Sequence, residues 1–367
     1  MCEYNCRKFT TLVSIVLFTA FLSGCQSIAG KSKGSYARNP ALVTLKPDYP
    51  GNPTLNGKFV GPYRSVTSGS RSLWKYASSK FKSKKFESKQ TQAPNIEYPP
   101  VVVMPYQPKL HTEPHLAWLG HATMVIELCG LTVVVDPILN SPKLFHGKRL
   151  IDVPIAANQL EVDILLASHA HRDHLDKSTV KALGGNNMKA YVPLNMGNML
   201  TQWRPDILVQ EAGWYQVFNT GESLSVTLFP ALHWSRRSLL DTNDVLWGSY
   251  LLECEGTSVF IAGDTGYGDH FAEIRKLVDH IDYAVLPIGA YEPVELVGNS
   301  HMNPEQAVQA FKDLGAETMI PTHYGTYDLS DEPVGEPLHR FLQHVKKQKL
   351  DPTAVKVLAV GEVLLLK

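Results

Sequence analysis

Residues 101–367 are predicted to fold as an α/β protein of αββα type, a four-layer sandwich in which two sheets face each other and helices cover the outer sides. Three observations predict it. Strand-length apolar runs alternate with helical segments from Pro100 onward. A weak internal repeat matches residues 125–136 to residues 251–264, each a hairpin whose second strand ends in an acid, Asp136 or Asp264. Two αβ halves facing each other would produce that repeat. Finally, polar clusters follow directly on apolar runs, which is where the end of a strand hands side chains to a loop.

The chain opens with Arg7 and Lys8, an apolar stretch from Leu12 to Leu22, and then Leu22-Ser23-Gly24-Cys25. The stretch is short for a bilayer span, and small residues precede the cysteine. It resembles a bacterial lipoprotein signal. That resemblance implies removal of residues 1–24, lipidation of Cys25 and, with Gln26 following, an outer-membrane lipoprotein facing the periplasm. Cys2 and Cys6 would leave with the signal, so Cys129 and Cys254 remain as thiols. Both sit at strand ends and read as small buried hydrophobes, with a single bridge as the alternative in an oxidising compartment.

Residues 25–100 read as a tether and N-terminal extension rich in Ser, Gly, Pro and Lys. The 35 basic and 35 acidic residues of the whole chain cancel, yet residues 26–100 hold 13 Lys or Arg against 3 Asp or Glu, so the remainder is acidic. Positive charge is densest from Lys75 to Phe86, where aromatics among lysines suit an anionic lipid surface; a solvated linker is the plainer reading. A Gly-rich phosphate loop, a nucleotide fingerprint and a nucleic-acid module are all missing from the sequence, and export disfavours RNA processing.

About 260 residues then suit one packed core. Val101–Met104, Leu116–Leu119, Thr123–Leu128 and Leu131–Val135 read as strands, the last two joined by a tight Cys129-Gly130 turn. Lys177–Leu183 reads as a short helix, and Lys189–Val192, Trp214–Phe218 and Leu224–Phe229 as further strands. Asn303-Pro304-Glu305-Gln306 is a helix start with N-cap, proline at the first helical position and a capping partner; Gly315 stops that helix. Asp269–Asp279 and Glu336–Lys347 read as helices too.

The densest chemistry is His169-Ala170-His171-Arg172-Asp173-His174-Leu175-Asp176, directly after Ile164–Ala167. With 14 His in 367 residues, three within six positions exceed what a solvated turn needs. Imidazole nitrogen and carboxylate oxygen are the donors that borderline cations take. His233, Asp264 and His323 also follow apolar runs. Each alone reads as a structural His or turn Asp; together they would converge at one edge of a rigid sheet core.

His-x-His-x-Asp-His after a strand, followed in order by His233, Asp264 and His323, resembles the metallo-β-lactamase superfamily over residues 114–367. His233-Trp234-Ser235-Arg236-Arg237-Ser238-Leu239-Leu240-Asp241-Thr242-Asn243, Leu246-Trp247-Gly248-Ser249 and Gly289-Ala290-Tyr291-Glu292-Pro293 resemble its N-acyl phosphatidylethanolamine phospholipase D branch. The resemblance implies the αββα fold and two metal ions. His169, His171 and His233 would hold one, Asp173, His174 and His323 the other, with Asp264 bridging. Five imidazoles and two carboxylates suggest two zinc ions, manganese or iron being the alternatives. A Glu in place of His171 would resemble di-iron members, and a Cys in place of Asp264 the lactam-hydrolysing ones.

The same resemblance assigns catalysis to Asp173, Asp264 and His301. Substrate contacts fall to Arg172, Arg236, Trp234 and Tyr291, although mammalian members carry Tyr where Arg172 stands. Arg237 is a further cation near His233, and each arginine reads equally well as a surface ion pair. Asp136, Asp176, Glu292 and Thr322 are candidates to hold the imidazoles in place, and Trp118, Trp247 and Tyr324 to line an acyl channel. The expected protein is a lipid-anchored binuclear zinc hydrolase that uses metal-bound hydroxide on a phosphodiester of N-acyl phosphatidylethanolamine or a related phospholipid. The rivals are a lactone or ester hydrolase on the same site and a non-catalytic metal-loaded envelope lipoprotein.

Overall fold

The computed structural model describes residues 34–61, 96–140 and 148–367. The expected export signal, Cys25 and the lysine-rich stretch 75–86 lie outside the described residues. In chain order the strands and helices are β1 (Gly34–Ala37), β2 (Val43–Thr44), β3 (Asn52–Leu55), β4 (Lys58–Phe59), β5 (His115–Trp118), β6 (Met124–Leu128), β7 (Leu131–Val135), β8 (Ile164–Leu166), α1 (Lys177–Ala182), β9 (Lys189–Pro193), α2 (Gly197–Trp203) and β10 (Leu208–Ala212). There follow β11 (Gln216–Val217), β12 (Ser225–Phe229), β13 (Ser249–Cys254), β14 (Thr257–Ile261), α3 (His270–Arg275), β15 (Tyr283–Pro287), α4 (Val294–Val297), α5 (Pro304–Leu314), β16 (Thr318–Thr322), α6 (Glu336–Lys347) and β17 (Val363–Leu365). Among the described residues no helix is long and apolar enough to cross a membrane.

Two seven-stranded sheets run β10-β9-β8-β7-β6-β5-β17 and β16-β15-β14-β13-β12-β11-β2. The internal repeat is their shared plan. β5 and β12 pair antiparallel with β6 and β13, tight hairpins lead into β7 and β14, and parallel strands follow. Both hairpin turns place two residues at positive φ: Cys129 and Gly130 at 55° and 69°, Glu255 and Gly256 at 50° and 88°. That geometry matches strand twist and explains why Gly stands second in each.

Side-chain alternation separates the layers. Trp118, Met124, Ile126, Val133, Val135 and Leu166 enter the main core with the second sheet, whereas Ala117, Val125, Val134 and Leu165 lie in another cluster with Val180 of α1 and Leu200 of α2. Phe271, Phe311 and Phe341 bring α3, α5 and α6 into the main core. α5 has the expected capping box, Asn303 Oδ1 accepting from the Gln306 N–H at 2.9 Å and Gln306 Oε1 from the Asn303 N–H at 3.1 Å. The αββα sandwich is therefore present.

Several elements differ from expectation. Residues 34–61, assigned by composition to the tether, fold onto the body: β2 extends the second sheet, Phe59 is buried in the main core, and Asn52 Oδ1 accepts from the Trp214 N–H. Strands of two to four residues are too short for periodicity to reveal. Val101–Met104 makes only an isolated bridge from Val103 to Val360, because flanking prolines remove donors. The Asp269–Asp279 helix shortens to α3. Cys129 and Cys254 are bridged, with Cα atoms 6.2 Å apart, since facing sheets bring the two hairpin tips together.

Candidate metal centre

The His-rich loop begins three residues beyond β8 and is held from several sides. Asp176 caps α1 through the Thr179 N–H at 2.7 Å, so it serves the helix rather than an imidazole. Arg237 donates to the carbonyls of Ala170 and Leu175 at 3.3 and 2.7 Å, clamping the turn, while its guanidinium lies over Trp203. That fixed loop presents His169, His171, Asp173 and His174 to the edge reached by β12, β14 and β16.

The first donor group is His169, His171, His233 and Asp264, whose ligand atoms lie within 4.8 Å of one another. Outer hydrogen bonds fix the tautomers. Ser168 Oγ donates to Asp136 at 2.7 Å and so accepts from His169 Nδ1 at 2.9 Å; His233 Nδ1 donates to the Ser300 carbonyl at 3.0 Å. Each Nε2 lone pair then points inward, 2.7 and 3.3 Å from His171 Nδ1. Burial, with neighbouring imidazoles, holds His169 well below its usual pKa; burial also holds His233 well below and lowers His171 to about 3, so the rings stay neutral.

The second group is Asp173, His174, His323 and, unanticipated, His121. His121 Nε2 lies 3.3 Å from Asp173 Oδ2, its ring packs at a tilt against His323 with centroids 4.0 Å apart, and its carbonyl accepts from the His323 N–H at 2.9 Å. A left-handed turn places it, with φ 98° at Gly120 and 52° at His121. A Cβ at Gly120 would sit 2.5 Å from Arg149, whose guanidinium holds the Leu119 carbonyl at 2.7 Å. Sequence reasoning missed His121: it follows the apolar run Leu116–Leu119 as the other donors follow theirs, but no motif spacing marks it and an ordinary buried histidine would read the same.

Asp264 lies between the groups, Oδ2 3.0 Å from His174 Nε2 and Oδ1 3.1 Å from His323 Nε2. Burial alone would raise its pKa, but His174, His323 and His301 outweigh that and hold it well below the carboxylate range. Burial likewise opposes charge on His174, yet Asp264 and Asp136 raise its pKa well above normal. His171 Nε2, His174 Nε2 and both Asp264 oxygens are buried without a well-formed hydrogen bond. The 3.0 Å approach of His174 is thus a distance without hydrogen-bond geometry. Lone pairs of imidazoles and a carboxylate aimed together are satisfied at once by cations, and this donor set fits two.

The supporting carboxylate is Asp136. It is fully buried, accepts from the Ser168 N–H at 2.6 Å, and meets His174 Nδ1 at 2.8 Å. Glu292 accepts from the Val294 N–H before α4, and Thr322 ends β16 beside His323. His301 joins the centre, Nδ1 3.9 Å from Asp264. Trp234 stands edge-on to His171 at 4.4 Å, with the Arg236 guanidinium over it at 4.9 Å. Arg172 is half-buried in the loop. Tyr291 is placed differently: it is buried, donates to Glu336 at 2.8 Å and lies under Arg340, a packing role. Trp118 and Trp247 are likewise fully buried, their indole N–H groups spent on the carbonyls of His121 and Ala231.

Residues 132–324 match the family described as beta-lactamase superfamily domain. An uncharacterized protein of Mycobacterium tuberculosis is 36% identical over 259 residues, covering 65% of this chain and 68% of that one. An N-acyl-phosphatidylethanolamine-hydrolyzing phospholipase D of Caenorhabditis elegans is 31% identical over 276 residues, covering 69% and 76%. In fold the chain resembles Igni18, a metallo hydrolase of the archaeon Ignicoccus hospitalis, with a TM-score of 0.51, 23% identity and coverage of 69% and 98%.

Proposed function

The chain belongs to the beta-lactamase superfamily as a metal-dependent hydrolase, and on that premise we propose that it cleaves a phosphodiester of N-acyl phosphatidylethanolamine or a related phospholipid, using two zinc ions. The observation that carries this reading is the pair of donor groups sharing Asp264, with Arg236 and His301 beside them. Similarity to the nematode phospholipase D supports the substrate class.

His169, His171 and His233 would hold one ion, Asp173, His174 and His323 the other, and Asp264 both. Cations bound there would supply Lewis acidity and would lower the pKa of a water from 15.7 toward about 7. The chain does the rest. Asp173 accepts a hydrogen bond from the attacking water and orients it, its own carboxylate being steadied by His121 Nε2. His301, partly open to solvent, donates to a phosphoryl oxygen, and Arg236 neutralises the diester's charge from its seat on Trp234. Water oxygen bonds to phosphorus, the bond from phosphorus to the leaving alcohol oxygen breaks, and water's proton ends on that oxygen. Lipidation at Cys25 in an outer membrane is part of the proposal, because anchor and substrate would then share a bilayer.

Metal analysis of the purified protein, with hydrolysis measured on N-acyl phosphatidylethanolamine, a soluble phosphodiester and a lactone, tests it. Arg236→Ala or His301→Ala should lower kcat/KM for both phosphodiesters about 10- to 100-fold, the rate equivalent of one charge-assisted bond, and change lactone hydrolysis far less. A wild-type enzyme that opens lactones and leaves phosphodiesters intact overturns the reading in favour of an ester hydrolase.

A further inference from the structure

Leu239 and Leu240 expose 89% and 88% of their surface, more than any other large hydrophobic residue described. They are held out rather than loosely placed. The loop carrying them is closed at its base by Ser235 and Asn243, the Asn243 N–H donating to the Ser235 carbonyl at 2.7 Å and Asn243 Oδ1 accepting from the Ser235 N–H at 3.1 Å. Inside it, the Asp241 carboxylate accepts from the N–H groups of Arg237 and Ser238 at 2.9 and 2.8 Å. Lys58 of β4 reaches across to the carbonyls of Leu240 and Thr242 at 3.3 and 3.1 Å. A braced loop that presents two adjacent leucines to water has the form of an insertion device.

Its base is the metal centre itself. Ser235 Oγ accepts from the Ala170 N–H at 3.1 Å, and Trp234, one residue earlier, packs on His171. Arg236 follows at once, its guanidinium over the Trp234 ring, and the arginine ion pairs among the described residues are those of Arg204 and Arg340 rather than of Arg236 or Arg172. Reaction centre, cation and apolar tip thus follow one another over the eight residues from His233 through Arg236 to Leu240. Two leucines offer far less than the roughly 800 Å² per partner that a stable protein interface buries, whereas a pair of apolar side chains beside cations matches an anionic bilayer surface.

We propose that the Ser238-Leu239-Leu240 tip enters the boundary between headgroups and acyl chains of an anionic membrane and seats the metal centre over its lipid. The proposal rests on the phospholipid reading for its purpose, and its test is separable from it. In the full chain, a single environment-sensitive dye is placed at Leu240→Cys or, as control, at Lys367→Cys. Lys367 meets Thr257 at the hairpin end of β14. The protein is bound to vesicles of phosphatidylcholine and phosphatidylglycerol carrying doxyl-labelled lipid. Quenching at position 240 and none at 367 is expected. Equal, water-like emission at both positions overturns the docking, whether or not any lipid is hydrolysed. In parallel, replacing Leu239 and Leu240 with serine should lower kcat/KM on vesicle-embedded N-acyl phosphatidylethanolamine roughly tenfold or more and leave a soluble phosphodiester unchanged. Quenching without lipid hydrolysis by the wild type refutes the substrate reading alone. A wild-type dimer that the double serine variant dissociates, with no quenching, assigns the tip to a second copy and overturns the proposal.

Discussion

Asp136→Asn changes one atom of a fully buried carboxylate and should weaken the second metal group selectively. In the wild type both oxygens are acceptors: Ser168 donates its N–H and Oγ–H to them, and His174 donates Nδ1–H at 2.8 Å. His174 therefore donates through Nδ1, and Nε2, aimed at Asp264, is the position at which a bound cation would replace a proton. An amide in the same place must set its NH2 either against the Ser168 N–H, donor facing donor, or against His174 Nδ1. The second choice makes Nδ1 the acceptor and moves the proton to Nε2, which removes the lone pair a cation needs. Losing one hydrogen bond to a charged group costs about 1.5 to 3 kcal/mol, roughly 10- to 150-fold in affinity, within the range found when an outer partner of a metal-bound His is changed. Chelator-competition titration with zinc should show one site weakened by that factor, and the other, built on His169, His171 and His233, changed less. Two sites both within about threefold of wild type would refute the tautomer argument.

Acid stability supplies another test. Burial holds the His270 imidazole down to about 3 from 6.5, so between those values the unfolded chain binds a proton that the folded chain does not. Its contribution is complete above pH 6.5 and is lost as pH falls, approaching about 1.4 kcal/mol per pH unit; His270→Gln should flatten denaturant-measured stability between pH 6 and 4, and an unchanged slope would count against it. The Cys129–Cys254 bridge closes a loop of 125 residues. Replacing both with alanine should cost about 2 to 5 kcal/mol and lower Tm in non-reducing buffer, while reductant should lower the Tm of the wild type only; equal melting of the two proteins would argue that the bridge does not form.

How far the sequence was legible follows from what each residue needed. The hairpin turns and the α5 cap were readable because their geometry demands particular residues: Gly130, Gly256, Asn303 and Gln306. The candidate donors were readable because a metal demands particular atoms, and His169, His171, Asp173, His174, His233, Asp264 and His323 lie in two neighbouring groups. His121 escaped because nothing local distinguishes a buried histidine after a strand from an ordinary one; only packing against His323 places it. Tyr291 misled for the converse reason. It stands in a stretch that resembles the phospholipase branch, yet its hydroxyl goes to Glu336, 45 residues away. The β1–β4 segment was hidden by averaging over a basic region, and the cysteine pair by a separation that only facing sheets can close.

The bridge also has a thermodynamic consequence for the centre. His169, His171, Asp173 and His174 come from the half built on the first sheet, and His233, Asp264, His301 and His323 from the half built on the second. The cysteines join the same two halves at the hairpin tips, one five-residue strand, about 17 Å, from the ligands. A cation held by donors from both halves would cross-link the same two halves as the bridge, so each link would lower the entropy that the other must still remove. The two equilibria would then be linked, and reciprocity requires that metal loading make the bridge harder to reduce by the factor by which reduction weakens metal binding.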